Sequence, residues 1–413
     1  MAGLRDGHAL VLLRGGEAYF ESLIHDVDQS RHEVRIETYI FNFDASGCRV
    51  AQALERAAAR GVNVYLTVDG VGTPGLPPEW VERFERSGVL WRIFLPLGRL
   101  GVLIPFRWRR LHRKLCALDG SIAYCGGINV LDDYVDPTHG PLKQPRLDFA
   151  VRVTGPLVQD VLDVMARFWW RRTPAFELRG RDLGAAWRDL RLTMQRALGD
   201  QQRSGEPSAF GQSVLAESGL PGKGAYAALV LRDNLRNRRT IERAYLKALG
   251  AARHEVVIAN AYFLPGARLR RALIHLARRG VRVRLLLQGR YEYFLQYHAT
   301  RPLYGKLLEA GVEIHEYAAS FMHAKVAVVD GCWATVGSSN LDPLSLLLAR
   351  EANVVVDDKE FAGALRESLE QAIGQGSRVE PAAFANRSWR LRALEALASL
   401  ALRAGILLTG RRY

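Results

Sequence analysis

The chain has 413 residues, of which 48% are hydrophobic and 24% charged, a composition that excludes both a disordered and a fibrous protein. Its 57 lysines and arginines outnumber its 43 aspartates and glutamates, which gives a net charge of +14 at pH 7. This excess favours a polyanionic partner, either a nucleic acid or an acidic membrane surface. At roughly 150 residues per domain, the length predicts two or three domains.

The N-terminal apolar run is too short for a signal peptide, and no stretch of about 18 uncharged apolar residues follows anywhere. We therefore expect a protein that does not cross a membrane, although it can lie on one. The cysteines are widely spaced and form no C-x-x-C pair, which predicts buried thiols in a reducing compartment. They are Cys48, Cys116, Cys125 and Cys332.

The chain contains an internal duplication. The segment RHEVRIETYIF, which begins at Arg31, is repeated as RHEVVIANAYF from Arg253. Likewise ALERAAARGVNVYLTVDG, from Ala53, is repeated as ALIHLARRGVRVRLLLQG from Ala272. These segments lie 222 and 219 residues apart, so the two halves of the chain are related in sequence.

Each half alternates apolar, strand-like runs with helix-like stretches such as residues 51–60, which end at Gly61. This alternation predicts an α/β sandwich in each half. The segment between the halves is rich in Gly, Ser, Pro and Gln, which is typical of a linker. The predicted organisation is a first half at 1–198, a linker at 199–224, a second half at 225–385 and a basic amphipathic C-terminal segment at 386–413.

Both halves carry one short pattern, in which a lysine follows a histidine by two residues and an aspartate follows the lysine by five. The two copies are His112, Lys114, Asp119 and His323, Lys325, Asp330. Each is followed at a matched distance by a short tail, Gly126-Gly127-Ile128-Asn129 or Gly337-Ser338-Ser339-Asn340. Residues two apart on a strand share a face, so each histidine and lysine can address one ligand together. One such pattern arises by chance, whereas two in register with a repeat indicate a function.

Two histidines and two lysines suit the cleavage of a phosphodiester. This reaction needs a nucleophile at phosphorus, an acid for the leaving alkoxide and cations for the equatorial oxygens. Imidazoles, with pKa values of about 6.5, can fill the first two roles at neutral pH. The duplication leaves open which histidine attacks. No run of carboxylates has the spacing of metal ligands, so we expect neither a metal nor a cofactor.

The two motifs resemble the HKD motifs of the phospholipase D superfamily, over nearly the whole chain. The sequence HAKVAVVDGCWATVGSSNLDPLSLLLAREANVVV, from His323, is similar to bacterial cardiolipin synthases, most of all to the B type. The resemblance implies two α/β halves around a pseudo-twofold axis, with one phosphate bound between the motifs. It also implies transfer of a phosphatidyl group from phosphatidylglycerol to a second phospholipid alcohol, with release of glycerol.

Other functions remain open at this point. A phospholipase D hydrolase would use water as the acceptor, and a nuclease of the same superfamily would use DNA or RNA as the donor. A catalytically silent protein that binds membranes or nucleic acid is a third alternative. The intact histidine-lysine pairs in both halves argue against silence.

The same resemblance implies a role for each site residue. His112 is the nucleophile that becomes a phosphohistidine, and His323 is the general acid and base. Asp148 and Glu351, which each introduce a strand-like run, orient the imidazole of the opposite half unless they are ordinary surface charges. The aspartates of the motifs brace strand turns, and these are Asp119 and Asp330. The residues expected to bind or support the phosphate are Lys114, Lys325, Asn129, Asn340 and Ser339.

Positive charge is concentrated in two apolar segments. Residues 96–114, PLGRLGVLIPFRWRRLHRK, carry six basic residues and no acid, and either enter an anionic bilayer as a loop or form a core hairpin. The C-terminal SWRLRALEALASLALRAGILLTGRRY, from Ser388, is either an interfacial helix or one that packs on the protein's own core. We expect an anionic phospholipid membrane as the partner, on the cytoplasmic side of the bacterial cell membrane, and no nucleic acid. The sequence leaves the oligomeric state open.

Overall fold

The computed structural model describes residues 3–98, 108–170, 224–233, 237–291, 294–342 and 349–408. The predicted linker, except for Gly224, and the apolar centre of the 96–114 segment lie outside these ranges. The same holds for residues 343–348, which follow the second motif, and for the last five residues of the chain.

Helices and strands alternate through the first half. The strands are β1 (Arg5–Arg14), β2 (Glu33–Thr38), β3 (Asn63–Asp69), β4 (Leu90–Phe94), β5 (Arg110–Leu111), β6 (Lys114–Leu118), β7 (Ile122–Gly126), β8 (Val135–Asp136), β9 (Gly140–Pro141) and β10 (Phe149–Thr154). The helices are α1 (Gly15–Gln29), α2 (Ala45–Ala59), α3 (Pro78–Ser87) and α4 (Leu157–Trp170). Helix α2 begins earlier than predicted because the Asp44 carboxylate caps it, accepting from Gly47 N–H at 3.0 Å.

The second half repeats this alternation. Its strands are β11 (Ala225–Arg232), β12 (Glu255–Asn260), β13 (Arg282–Gln288), β14 (Glu313–Tyr317), β15 (Lys325–Val329), β16 (Trp333–Gly337), β17 (Ala349–Asp357) and β18 (Gly376–Arg378). Its helices are α5 (Thr240–Ala251), α6 (Ala267–Arg278), α7 (Phe294–Thr300), α8 (Pro302–Glu309), α9 (Lys359–Gly374), α10 (Pro381–Ala385) and α11 (Trp389–Leu408).

The strands of both halves form one mixed sheet, apart from the small β8–β9 pair. Its order is β18-β14-β13-β12-β15-β16-β17-β11-β1-β10-β7-β6-β2-β3-β4, with β5 beside β17. The halves join where β1 pairs antiparallel with β11, and the order on one side of this junction mirrors the order on the other. In each half three strands run parallel, namely β2-β3-β4 and β12-β13-β14. The duplicated α/β architecture that the sequence predicts is confirmed.

The halves share one hydrophobic core and each has another of its own. Leu54 and Phe84 belong to the core of the first half, and Leu273 to that of the second. The shared core contains side chains of both halves, such as Val151 of β10 and Val354 of β17, and it is closed by α4 and α9. These strands are buried on both faces, and for this reason their sequences are unbroken apolar runs. This common core holds the two halves in a fixed relation.

The structure bears on the cysteines and on the expected absence of a membrane span. All four cysteines are free thiols, two of them buried and two partly exposed. Within the described residues no helix has the length and apolar character needed to cross a bilayer.

Candidate active site

The two histidine-lysine motifs meet where the halves adjoin. His112 stands between β5 and β6, and His323 lies just before β15, so both are placed at the beginning of a strand of the sheet. Their ring centroids are 6.4 Å apart, and the ring planes are inclined by 65°. One phosphoryl group between the rings can therefore contact both imidazoles.

Backbone hydrogen bonds fasten each histidine to the opposite half. His112 N–H donates to the carbonyl oxygen of Arg350 at 3.1 Å, and His323 N–H donates to that of Leu147 at 2.8 Å. In both cases the acceptor directly precedes the carboxylate that contacts the imidazole. A single short segment thus positions both the main chain and the side chain of the histidine from the other half.

Each imidazole pairs with a carboxylate across this junction. His112 Nδ1 lies 3.1 Å from Glu351 Oε2, and His323 Nδ1 lies 2.7 Å from Asp148 Oδ2. Glu351 is 0% and Asp148 2% exposed, so neither is an ordinary surface charge. A carboxylate at Nδ1 fixes the orientation of the ring and leaves Nε2 for the substrate.

The two motif lysines are buried between these pairs. Lys114 Nζ donates to the carbonyl oxygen of His112 at 2.7 Å, and Lys325 Nζ donates to that of His323. Burial lowers the pKa of Lys114 to about 7, and the charge of Lys325 adds to this effect while Glu351 opposes it. A bound anion would favour the charged form of the amine, so the site is suited to a phosphate.

The two carboxylates differ in their affinity for a proton. Burial raises the pKa of Asp148 to about 7, although Lys325 opposes this shift. Burial also disfavours ionisation of Glu351, yet the charge of His112 and the Ser338 hydroxyl help to lower its pKa. Near neutral pH the pair of Asp148 and His323 therefore keeps a proton, whereas Glu351 is ionised.

Both imidazoles have a lowered pKa, and burial is the largest cause in each case. For His112 the negative charge of Glu351 opposes this shift. For His323 the neighbouring ammonium groups of Lys325 and Lys114 add to burial and hold the pKa well below its usual value. Both imidazoles therefore favour the neutral form until an anion binds in the site.

The asparagines of both tails line the cleft. Asn129 Oδ1 accepts from Ile40 N–H at 3.2 Å, which leaves its NH₂ group for a ligand. Asn340 Oδ1 is buried and has no hydrogen-bond partner among the described residues, so it can accept a hydrogen bond from a hydroxyl of a ligand. Ser339 is fully buried and donates its hydroxyl to the Asn340 carbonyl at 3.4 Å. It supports the main chain of Asn340 rather than lining the cleft.

The motif aspartates lie at the far ends of their strands, about 15 Å along the backbone from the lysines. The Asp119 carboxylate accepts from three consecutive N–H groups at the start of β2, and Asp330 does the same at the start of β12. Both residues have positive φ angles, 49° and 50°. They brace the strand turns, as the resemblance implies, and the structure gives them no contact with the imidazoles.

Two residues of the tails support the site in ways that sequence reasoning missed. Ser338 donates its hydroxyl to Glu351. The matching position in the first half is Gly127, where an added Cβ would overlap the Asp148 carboxylate. The only available signal was that the aligned tails differ here, and nothing in the sequence connects that difference to the two carboxylates.

His112 and His323 line a cleft of about 680 Å³. Aromatic side chains form part of its wall, among them Tyr39, whose ring centroid is 5.0 Å from that of His112, and Tyr262. Arg110 also lines the cleft, and it is held by an ion pair of 3.0 Å with the buried Asp69. Within the ranges that the structure describes, no three His, Cys, Asp or Glu side chains are grouped so as to hold a metal ion.

Sequence comparison places this chain among lipid-synthesising enzymes. The family described as "Cardiolipin synthase, PLD-like domain" matches residues 23–139 and 245–373, one match in each half. Cardiolipin synthase B of Escherichia coli strain K12 is 36% identical over 395 residues, which are 93% of this chain and 85% of that protein. A cardiolipin synthase of Listeria welshimeri is 28% identical over 96% of this chain and 75% of its own length.

Solved structures share the fold at low sequence identity. Phosphatidylserine synthase of Haemophilus influenzae Rd KW20 superposes with a TM-score of 0.65 at 13% identity, over 97% of this chain and 94% of that chain. Polyphosphate kinase of Porphyromonas gingivalis gives a TM-score of 0.51 at 13% identity, over 88% of this chain and 50% of that chain. At these identities the likeness concerns the fold alone.

Proposed function

The chain belongs to the cardiolipin synthase family of phospholipase D-like proteins, and from this membership we propose that it is a phosphatidyltransferase that makes cardiolipin. It transfers a phosphatidyl group from one phosphatidylglycerol to a hydroxyl of a second phospholipid, such as another phosphatidylglycerol, and releases glycerol. Two crossed histidine-carboxylate pairs, with their imidazoles 6.4 Å apart in one cleft, are the observation that carries the proposal.

The first half-reaction breaks the bond between phosphorus and the oxygen of the headgroup glycerol in the donor lipid. His112 Nε2 attacks phosphorus with its lone pair, and the departing oxygen takes a proton from the His323 pair. The products are a covalent phosphatidyl-histidine and free glycerol. The ionised Glu351 stabilises the positive charge that develops on the His112 ring.

The second half-reaction returns the enzyme to its starting state. A hydroxyl of the acceptor lipid gives its proton to His323, and its oxygen attacks the phosphorus held on His112. The phosphorus–nitrogen bond breaks, cardiolipin leaves, and the His112 ring is neutral again. One phosphate ester replaces another, so neither a redox partner nor an energy donor is required.

The groups that stabilise the negative charge of the transition state are already in position before the reaction. The ammonium groups of Lys114 and Lys325 oppose the negative charge of the equatorial oxygens, and the amides of Asn129 and Asn340 donate hydrogen bonds to them. Both lysines are tethered by a hydrogen bond to the main chain, so little reorganisation accompanies the reaction.

The inequality of the two pairs supports His112 as the nucleophile. Its carboxylate, Glu351, has a lowered pKa, so the ring is held by an anion and can attack while neutral. Asp148, whose pKa is about 7, keeps a proton available beside His323 for the leaving group. Two titratable pairs with pKa values pushed apart are the usual mark of a divided acid and base.

Incubation of the purified protein with phosphatidylglycerol vesicles tests the proposal, with lipid products followed over time. Cardiolipin and glycerol in equal amounts are expected. Phosphatidic acid without cardiolipin would instead identify a hydrolase, in which water is the acceptor. Cleavage of an oligonucleotide, with the lipid untouched, would identify a nuclease.

We also propose that the protein works on an anionic phospholipid surface, on the cytoplasmic side of the bacterial cell membrane, without a nucleic-acid partner. The net charge of +14 favours such a surface. The four free thiols favour a reducing compartment. Cell fractionation tests the location: the protein is expected in the membrane fraction and is released by high salt together with detergent.

A further inference from the structure

We propose that the outer face of helix α11, together with the exposed side of α7, binds an anionic phospholipid bilayer next to the active-site cleft. This surface is called the α7–α11 surface below. The inference rests on the proposed function, because a lipid substrate has to reach the cleft from a bilayer.

Helix α11 packs on the protein through one of its sides. Ala398 and Leu402 are buried in a small cluster with Leu264, Ala299 and Leu303. The acid on this side, Glu395, is 1% exposed and pairs with Arg387 at 2.6 Å. Of the two alternatives for the C-terminal segment, packing on the core is therefore confirmed for this side of the helix.

The opposite side of α11 exposes large apolar residues. Trp389 is 73% exposed, and Leu397 and Leu400 are each 64% exposed. At about 3.6 residues per turn, these three positions fall within roughly a quarter of the circumference of the helix. The water-facing side of an ordinary surface helix carries polar residues, whereas a cluster of exposed apolar residues marks an interaction surface.

The charges around this row match an anionic bilayer. Arg390, whose guanidinium carbon is 5.8 Å from the centre of the Trp389 ring, and Arg392 are both exposed. The one acid in α11 is Glu395, which is buried and neutralised by its partner. Apolar side chains flanked by arginines fit the boundary between acyl chains and anionic headgroups.

Helix α7 packs against α11 and exposes large apolar residues of its own. Phe294 and Leu295 are 50% and 39% exposed, and Tyr291, just before the helix, is 49% exposed. The combined surface carries five large exposed side chains besides Trp389, which is more than the scattered apolar residues that soluble surfaces normally show.

Helix α7, which forms one part of the α7–α11 surface, lies close to the catalytic cleft. Tyr262 lines the cleft and also contributes to a small cavity beneath α7, together with Tyr297. At the end of the strand that leads to α7, Gln288 Oε1 accepts from the N–H of Met322 at 3.1 Å, and Met322 directly precedes His323. A headgroup can therefore enter the cleft while its acyl chains stay in the bilayer.

The double variant Leu397→Glu/Leu400→Glu tests the surface. Its matched control is Val11→Glu/Tyr226→Glu, which adds the same charge at two apolar residues of β1 and β11 that are 48% and 42% exposed. Binding is measured by co-sedimentation with phosphatidylglycerol vesicles. Turnover is measured on those vesicles and on short-chain phosphatidylglycerol below its critical micelle concentration.

We expect the α11 double variant to bind vesicles about tenfold more weakly or worse, because two carboxylates would have to enter the membrane interface. The ratio of vesicle turnover to short-chain turnover should fall by a similar factor, and the control should keep both wild-type values. Arg390→Gln/Arg392→Gln should weaken binding to anionic vesicles more than to phosphatidylcholine vesicles. Trp389→Ser, a milder change at the helix start, provides a second test if the double variant does not fold.

Wild-type vesicle binding by both Leu397→Glu/Leu400→Glu and Trp389→Ser would overturn the inference. Conversion of a wild-type dimer to monomers, with vesicle binding unchanged, would also overturn it and assign the surface to a second copy of the chain. If the wild-type protein turns over neither substrate but the binding difference persists, the proposed function fails and the surface stands.

Discussion

Asp148 Oδ2 lies 2.7 Å from His323 Nδ1 and forms the shorter of the two crossed pairs, the other being 3.1 Å. The duplication makes these pairs equivalent in sequence, but their surroundings make them chemically different. Burial raises the pKa of Asp148 to about 7, whereas that of Glu351 is lowered. One pair therefore stores a proton near neutral pH, and the other holds a neutral imidazole against an anion.

This difference predicts the phenotype of each histidine variant. With phosphatidyl-p-nitrophenol as donor, the leaving group departs without a proton, so a general acid is not needed for the first step. His323→Ala is expected to release a burst of p-nitrophenolate and to accumulate a covalent lipid adduct. His112→Ala is expected to give no burst and a turnover reduced by about a thousandfold or more.

Rapid-quench kinetics and mass spectrometry of the trapped protein measure the burst and locate the adduct. Wild-type protein serves as the positive control, and His32→Ala, at an exposed position, controls for loss of an unrelated histidine. A burst from His112→Ala together with none from His323→Ala would reverse the two roles.

The pH profile supplies a second prediction. Asp148 and Lys114 both have a pKa of about 7, the first raised by burial and the second lowered by it. As the pH rises through 7, the Asp148 pair loses its stored proton and Lys114 loses its charge. The value of kcat/KM is therefore expected to fall on the alkaline side of pH 7.

Asp148→Asn removes one of the two titrations and is expected to lower kcat about 10- to 100-fold, with a shallower alkaline limb. Asp163→Asn, which changes a partly exposed carboxylate on α4, is the control. An alkaline limb in Asp148→Asn identical to that of the wild type would show that the Asp148 pair does not supply the proton.

The motifs allowed much of the site to be anticipated. The spacing of two residues placed each histidine and lysine on one strand face, and the repeat indicated that the motifs act together. The resemblance pointed to the crossed carboxylates, Asp148 and Glu351. Local spacing suffices for the histidine-lysine pairs because they depend on strand geometry and on the symmetry of the duplication, whereas the crossed carboxylates were implied only by the resemblance.

Other features depend on packing that no single segment encodes. The pKa of Asp148 follows from its depth of burial, to which both halves contribute. The contact of Ser338 with Glu351 requires knowledge of two strands at once. The C-terminal pattern could not tell which side of α11 faces the core, since both sides are apolar. Of the α11 side chains that the structure describes, Ala398 and Leu402 are the two that join a hydrophobic cluster.

A third prediction concerns stability. The pKa of Lys114 falls from 10.5 to about 7 on folding because burial disfavours the charged amine. This cost is fully present below pH 7 and disappears as the pH rises toward 10.5, where the unfolded chain also loses the proton. Lys114→Met is therefore expected to abolish turnover yet raise the free energy of unfolding by about 2 kcal/mol at pH 7.

Urea unfolding of wild type and Lys114→Met at pH 7 and at pH 10 measures this effect. The advantage of the variant should shrink at the higher pH. An advantage that is constant or larger at pH 10 would mean that the buried charge is not its cause. Lys143→Met, an exposed lysine, controls for the loss of a lysine as such.

The motif aspartates provide the last prediction, because their contacts are structural. Asp119 accepts from the N–H groups of Arg31, His32 and Glu33 at 2.8, 2.9 and 2.8 Å, and it holds a φ of 49°. Asp119→Ala removes these acceptors and is expected to cost about 2 to 4 kcal/mol of stability. Asp119→Asn should cost less, since asparagine tolerates a positive φ and keeps one acceptor oxygen.

Turnover per folded molecule and its pH profile should be unchanged in both variants, because the carboxylate lies at the far end of β6 from Lys114. Asp330→Ala is expected to behave in the same way, since it makes the matching three contacts at the start of β12. Urea titrations measure stability, and active-site titration with phosphatidyl-p-nitrophenol counts the folded molecules. A loss of turnover at unchanged stability would contradict this purely structural role. It would mean that Asp119 affects the reaction by positioning the strand that carries Lys114.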